Sequence, residues 1–434
     1  MRLEFDVIIV GAGPAGSTAA ILLARAGWSV ALVEKQRFPR RKVCGECIAA
    51  SNLPLFDALG IGELFEKSAG PKLQRVAFVQ GKDTLVSDLP SLTHAKHEWG
   101  RALGRETLDT LLINQAAAAG ATILQPWTAR SLEGGTGNYR CEVRSAVTRE
   151  TAILRAPVAI AAYGSWEPLP SADIPAGRRP HSHHLLAFKA NFRGANLEPG
   201  ILPVISFRGG YGGMVLADHG LLTVACCVRV DRLKGLRCEA PGIPAGAVVG
   251  ATLLRECSAV ATVRRNAHRE GPWLAAGPLN TGIHLNPDDG IFRIGNAAGE
   301  AHPIIGEGIS MAIQSAWVLS KHLLSAGPQL VHPWGTSMQR EIGNLYAADW
   351  RRFFSRRLRL AAMFAHIAMR PRVFAPLLAL MRLSSPLLKF AAQCSDKARA
   401  VVDPAIMPWS AITAPRGGLR NSGSRAISVD HHLL

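Results

Sequence analysis

Hydrophobic positions along the first 34 residues change period twice. Asp6 to Val10 is a continuous apolar run of strand length, Ser17 to Ala26 carries small and apolar residues at helical spacing, and Trp28 to Val33 is a second apolar run ending on Glu34. Gly11-Ala12-Gly13-Pro14-Ala15-Gly16 separates the first two. Strand, glycine turn, helix, strand and an acid about 20 residues beyond the glycines form the dinucleotide-binding βαβ fingerprint in its full context. Gly11 permits the tight turn, Gly13 lets the backbone approach a pyrophosphate, and Gly16 lets helix and strand pack closely. The helix amino terminus then turns free N–H groups towards phosphate, and Glu34 is placed to accept from a ribose diol.

Further along, Ser51 to Lys67 predicts an amphipathic helix and Leu73 to Leu89 a hairpin around Gly81-Lys82-Asp83. A second helix opens at Gly104 and runs through Ala119, followed by a strand over Thr122 to Leu124. The apolar run from Pro157 to Ser165 predicts a strand that returns to the main parallel sheet. From His181 to Arg264 the pattern changes to short β-runs with few helices: Leu185 to Ala190, Val204 to Phe207, Gly213 to Ala217 and Leu222 to Val230. Phe207 to Gly213 is glycine-rich but precedes no helical pattern, so it predicts a hairpin connection and not a second phosphate loop. Gly290 to Gly308 leads into a helix over Ile309 to Ser325, and the chain stays helical to about Met381. The predicted division is a discontinuous nucleotide-binding domain (1–180 and 270–325, with 55–98 contributing to the substrate side) and an antiparallel β substrate domain (181–269). A helical region (326–414) and a polar, poorly ordered tail (415–434) follow.

Charge changes the picture at one end. Of the net +17, +10 falls between Arg340 and Leu434, where 15 Lys and Arg face 5 Asp and Glu. The arginines interleave with Leu, Ala, Met and Phe at helical spacing and not with stacking aromatics, so nucleic acid is the least expected of the anionic partners. These helices fit packing on the body of the protein, with a peripheral membrane contact as the alternative. Eight cysteines without a disulfide-framework spacing suit a reducing compartment. The first strand begins almost at Met1, which leaves no room for a secretory leader. No window approaches the roughly 18 uncharged apolar residues of a membrane span. The expected location is the cytoplasm, with membrane association only at the surface. Cys44 and Cys47 form a single CxxC; with no second pair at a suitable spacing, no metal site is predicted. A redox role for the pair stays open. The basic run from Lys35 to Lys42 is either phosphate-facing or a solvated loop.

Two glycine motifs far apart, one opening the chain and one at Gly295 ahead of a helix, complete the pattern. On Gly11 to Glu34, Arg105 to Leu112, Ala161 to Ser165 and Gly295 to Ala316, the sequence resembles the FAD-dependent oxidoreductases of the geranylgeranyl reductase and flavin-dependent aromatic hydroxylase superfamily. The resemblance implies an α/β fold. A Rossmann-like FAD-binding domain of the glutathione-reductase type would carry an inserted antiparallel β-sheet substrate domain and a helical C-terminal region.

It also implies cofactor contacts. Gly11, Gly13, Pro14, Ala15 and Gly16 would hold the ADP half, with Glu34 on the ribose, Lys35 and Arg41 in the adjoining basic loop, and Arg105 reaching in from a neighbouring helix. Gly164, Gly295 and Asn296 would follow the ribityl and diphosphate region. The turn Pro303, Gly306, Gly308 and Ile309 would present a helix amino terminus to the pyrimidine ring, where a reduced flavin accumulates negative charge. Cys44-Gly45-Glu46 would lie near the isoalloxazine. There Cys44 and Glu46 are candidate catalytic proton donors, or else only shape the loop. His302 reads as a hydrogen-bonding structural residue.

Two positions depart from the family pattern. Asn296 and Tyr163-Gly164 stand where the family usually has an aspartate and an Asp-Gly pair. The implied function is reduction of a C=C bond in a large apolar, isoprenoid- or polyketide-like substrate, with NAD(P)H as electron donor bound without a Rossmann domain of its own. The alternatives are oxygen-dependent hydroxylation of an aromatic substrate and a basic, RNA-linked or non-catalytic flavoprotein. Halogenation is disfavoured, since there is no Trp-x-Trp-x-Ile-Pro segment.

Overall fold

The computed structural model describes residues 2–92, 96–164, 181–326, 336–384, 386–388 and 402–406. The end of the predicted strand at Ser165 and the tail 415–434 lie outside them. Five parallel strands form the central sheet, in the order Phe292–Arg293, Val158–Ala161, Val7–Val10, Val30–Val33 and Thr122–Leu124. The run from Pro157 thus returns to the main sheet as expected. Side chains alternate across a strand, and the two faces take different partners. Val7, Ile9, Val30 and Leu32 pack among helices α1 (Pro14–Arg25), α4 (Arg105–Ala118) and α8 (Gly308–Ser325). Ile8, Val10, Ala31 and Val33 pack on a second, four-stranded sheet through Cys141, Val143 and Leu154. Covering on both faces is why these strands read as unbroken apolar runs.

The predicted single helix over Ser51 to Lys67 is two. Gly60 adopts a left-handed φ of 81° and ends α2 (Leu53–Leu59), its N–H turned back to the helix carbonyls, and α3 (Gly62–Ser68) starts afresh.

A seven-stranded sheet stands beside this body, in the order His268–Ala276, Leu185–Arg193, Leu222–Arg229, Gly210–Leu216, Ile201–Phe207, Arg75–Gln80 and Asp83–Asp88. All its pairings are antiparallel except Ile201–Ser206 on Arg75–Gln80. Gly209 turns the glycine-rich segment into a hairpin, as its pattern predicts. The same stretch holds more helix than expected: α5 (Val230–Glu239), α6 (Ala245–Glu256) and α7 (Ser258–Val263) cover one face of the sheet. Two glycines in α6 obscured it. A Cβ on Gly246 or Gly250 would come within 2.3 and 2.8 Å of Trp273, so packing selects glycine where helix propensity disfavours it.

Two further helices follow, the first of them long. At 33 residues, α9 (Thr336–Ala368) is about 50 Å long. It packs Trp350, Phe354 and Leu358 into the core of the parallel-sheet body and Ala365 and Ala368 against the seven-stranded sheet. After it, α10 (Pro371–Leu383) adds Phe374, Leu378 and Met381. Among the described residues no helix is long and apolar enough to cross a membrane.

Trp350 is the clearest link between α9 and the body, its ring filling the space a Cβ on Gly299 would need, 2.4 Å away. Trp350→Ala is expected to lower unfolding free energy by about 3–5 kcal/mol, read in chemical denaturation. An unchanged midpoint would mean that α9 does not depend on this contact.

Candidate active site

The glycine turn is shaped by contacts that leave no room for side chains. Gly11 has φ 103°, and a Cβ there would lie 2.5 Å from the Ala162 carbonyl oxygen; a Cβ on Gly16 would meet the Gly11 oxygen at 1.8 Å. Gly13 differs: the nearest atom to its Cβ position is Arg105 Nη2 at 3.7 Å, so its exposed side faces open space. No side chain caps the start of α1, which leaves its positive dipole end directed at that space.

Beneath the turn, Glu34 is buried. Its Oε2 accepts the Ala12 N–H (3.0 Å) and its Oε1 the Gln36 N–H (2.9 Å). Arg40 bridges Glu34 (3.6 Å) and Asp109 (3.5 Å). Asp109 also holds Arg105 through two 2.7 Å bonds. Burial pulls the Arg105 pKa down, but Asp109 and the Cys44 thiol outweigh it, so the guanidinium is firmly charged.

A cleft of about 220 Å³ runs from Gly13 to the seven-stranded sheet. Of the residues expected at the cofactor, Gly13, Pro14, Ala15, Cys44, Gly45, Glu46, Arg105, Gly164, Gly295, Asn296, Pro303, Gly306, Gly308 and Ile309 line it. Gly11, Gly16 and Glu34 sit behind the turn. Two basic residues do not belong to the cleft: Lys35 is exposed, and Arg41 turns away to Glu106 (3.0 Å) and the Glu270 carbonyl (2.9 Å). The inward cation of that loop is Lys42. Burial, with Arg105 and Arg40 nearby, lowers its pKa to about 8. Sequence marked the basic run, but an irregular loop has no period from which to read which member points inward.

Glu46 is not placed as a proton donor. It has a left-handed φ of 59° and is buried. Oε1 accepts the Arg105 N–H (3.0 Å) and Lys189 Nζ, and Oε2 accepts the Thr223 hydroxyl. A carboxylate accepting from an ammonium, an amide and a hydroxyl is an anchor. Cys44 Sγ accepts the Glu46 N–H at 3.3 Å, Cys44 lines the cleft, and no disulfide joins Cys44 and Cys47.

Sequence reasoning missed Tyr211. The residue lines the cleft, and its hydroxyl shares a 3.2 Å hydrogen bond with His302 Nδ1, which fits the structural reading of that histidine. Burial, the Cys227 thiol and Glu300 push the Tyr211 pKa well up, while burial and His366 bring His302 down to about 4. At the two departures from the family pattern, Asn296 Nδ2 donates to Glu300 Oε1 (3.4 Å), and Tyr163 lies beside the Arg293 guanidinium.

Behind the cleft lies a second chamber of about 260 Å³. Leu202, Val204, Ile304 and Ile305 line both spaces. Its other walls are apolar, from Val76 and Phe78 to Ile367 and Phe374. The one polar residue among the described lining, Ser206, donates its hydroxyl to the Ala368 carbonyl (2.6 Å).

Comparison with known proteins places this architecture. The fold is that of flavin-dependent enzymes: a myxobacterial chondrochloren halogenase superposes with TM-score 0.68 at 18% identity, covering 81% of each chain. A flavin-dependent brominase superposes with TM-score 0.67 at 17% identity, covering 93% of this chain and 97% of that one. Residues 4–196 match the family model described as FAD binding domain. The conditioned medium factor receptor 1 of Dictyostelium discoideum is 28% identical over 345 residues, covering 74% of this chain and 64% of that protein. A digeranylgeranylglycerophospholipid reductase of Methanothrix thermoacetophila is also 28% identical over 345 residues, covering 75% and 78%. The tryptophan 2-halogenase of Chondromyces crocatus is 35% identical over 119 residues, 27% of this chain and 22% of that one. The chain therefore spans less than two thirds of the receptor and about a fifth of the tryptophan halogenase. Residues 4–196 carry an FAD binding domain, and the chain is similar to members of the FAD-dependent oxidoreductase superfamily.

Gly13→Ala separates folding from cofactor binding. The new methyl has room in the protein itself, so the melting temperature should hold, while the methyl occupies the face turned to the phosphates. Flavin affinity is expected to fall at least about tenfold, read by titration of flavin fluorescence, as befits a position of close backbone approach. Unchanged affinity would remove Gly13 from the cofactor site.

Proposed function

We propose that this chain is an FAD-dependent reductase of C=C bonds in a large apolar substrate of isoprenoid or polyketide type. In this reading the parallel-sheet body is a Rossmann-like domain of the glutathione-reductase type and the seven-stranded sheet carries the substrate. The observation that carries the proposal is the continuity of the cleft with an almost wholly apolar chamber through Leu202, Val204, Ile304 and Ile305. A cofactor beside Gly306 and Gly308 would have a water-excluding space next to it, suited to a long hydrocarbon chain.

The residues present fit FAD. Gly11 and Gly16 leave no space for side chains, Gly13 leaves an open face with Arg105 beside it, and Lys42 adds a second positive group to the same cleft for a diphosphate. Where the family's usual aspartate is Asn296 here, Glu300 supplies a carboxylate to the same stretch of cleft. When bound, FAD supplies the two-electron carrier that passes a hydride between a donor, NAD(P)H in this reading, and an alkene. The chain's own part is positioning and proton supply. The amino terminus of α8 opens on the cleft, and Arg357 steadies it by donating to Gln314 Oε1 (3.0 Å) and approaching Glu307 Oε2 (3.5 Å). In this reading Cys44 supplies the proton from the cleft wall, and Tyr211, kept protonated by its raised pKa and paired with His302, is a hydrogen-bonding group there.

Two experiments test this. Purified, yellow holoprotein reduced without oxygen is expected to add two hydrogens per double bond to a geranylgeranyl-type chain, followed by mass spectrometry. Ile367→Trp, which fills the chamber, should raise KM for that chain by about tenfold or more and spare a short analogue. Product that gains oxygen only in air would replace reduction by hydroxylation, and a protein that takes up no FAD would end the reading. The second concerns pH. Lys42 has a pKa of about 8 against its ordinary 10.5. A bound diphosphate would raise it, so binding takes up a proton above pH 8. FAD affinity should be full below that value and fall by at most about tenfold per pH unit as pH rises through it. Lys42→Met should abolish the slope; a flat wild-type profile up to about pH 9.5 would show that Lys42 does not meet the cofactor.

A further inference from the structure

The outer side of α10 is apolar where a helix facing water is polar. Val373 (48% exposed), Leu380 (54%) and Leu383 (86%) recur with Pro376 at helical spacing on that side, while Phe374, Leu378 and Met381 are buried opposite. The inner side closes the apolar chamber through Phe374, Leu377 and Met381. Such a helix has one apolar face for the protein and another that, among the described residues, has no assigned partner.

Charge indicates what the second face meets. Between Arg351 and Ser384 the chain has eight arginines and no acidic residue. Only Arg357 is buried. Arg352, Arg356 and Arg359 recur on one exposed side of α9 and lead, at the same spacing, to Met363. Met363 is 47% exposed and also lines the chamber, so the chamber wall is part of the surface there. Arg370 and Arg372 flank the start of α10, and Arg382 lies near its end, 3.3 Å from Asp83. Exposed aliphatic side chains bordered by arginines suit the boundary between lipid headgroups and acyl chains. The aliphatic groups enter the apolar layer while guanidiniums on flexible stems reach the phosphates.

We propose that the exposed face formed by α9 and α10 docks on an anionic lipid bilayer, with Val373, Leu380 and Leu383 inserted at the interface and the chamber mouth at Met363 turned towards it. An apolar ligand dissolved in the bilayer then reaches the chamber without crossing water. The docking rests on these two helices and not on the chemistry proposed for the cleft.

The test is partition of the full-length holoprotein between buffer and vesicles, read by flotation. Vesicles of phosphatidylcholine with about a third phosphatidylglycerol should bind it at least about tenfold more than phosphatidylcholine alone. Val373→Glu with Leu380→Glu, and separately Arg352→Gln with Arg356→Gln and Arg359→Gln, should each lower binding about tenfold while flavin content and melting temperature hold. Equal binding to both vesicle types, no binding to either, or variants that bind like wild type would overturn the proposal. So would a drop in melting temperature for the glutamate variant, because the face would then be covered by this chain's own residues. Sedimentation of the wild type as a dimer that the same variant dissociates would assign the face to a second copy instead. Flavin content and product analysis report on the reductase reading independently.

Discussion

Glu46 is 2% exposed and accepts from groups in three different parts of the fold: the amide that opens α4, a lysine on the strand Leu185–Arg193 and a threonine on the strand Leu222–Arg229. A buried charge of this kind costs several kcal/mol of desolvation, offset only when partners with good geometry surround it. Here the partners also fix a distance: they hold the Cys44 loop and the seven-stranded sheet on either side of the cleft. The left-handed backbone of a non-glycine residue adds strain of order 1–3 kcal/mol, which persists only where the surroundings over-determine it. This one carboxylate ties the two sides of the cleft together.

Around that anchor, the charges are arranged in an alternating chain. Glu34, Arg40, Asp109 and Arg105 run from behind the glycine turn to the cleft, each engaged by the next. Its last member is held in one orientation by the two bonds from Asp109, so a positive group stands at the Gly13 face before any anion arrives. Preorganisation of this sort spares a ligand the cost of ordering a flexible side chain. Among the described residues Lys42 has no comparably placed carboxylate, and its lowered pKa follows from burial beside Arg105 and Arg40.

The legible parts of the sequence were those with a period or a fixed spacing. The parallel strands, α1, α4 and α8 and the glycine turn all stand near where the pattern puts them, because burial on two faces leaves an unbroken apolar run and close backbone approach leaves glycine. Sequence could not show that Gly60 splits a helix, since an isolated glycine within an amphipathic pattern is often tolerated. It hid α6, where Trp273 selects the glycines. It also could not orient the loop from Lys35 to Lys42, whose members part company only through partners distant in the chain: Arg41 with Glu270, Arg40 with Asp109. The pairing of Tyr211 with His302, 91 positions apart, exists only once the two sheets are assembled.

The same reasoning explains why the apolar chamber has no sequence signature. Its walls come from the strand Arg75–Gln80, the strand Ile201–Phe207, the turn at Ile304 and the last two helices, each of which reads as ordinary core. What leaves the space open is geometry. The length of α9 lets it pack on the body at Trp350 and on the far sheet at Ala365, so it spans the gap between two layers without filling it. After Ala368 the chain turns at Arg370-Pro371 and α10 roofs the remaining gap with Phe374 and Met381. A short helix in place of α9 could bury its apolar stripe on one layer only. The chamber therefore follows from one helix being long enough to serve two cores.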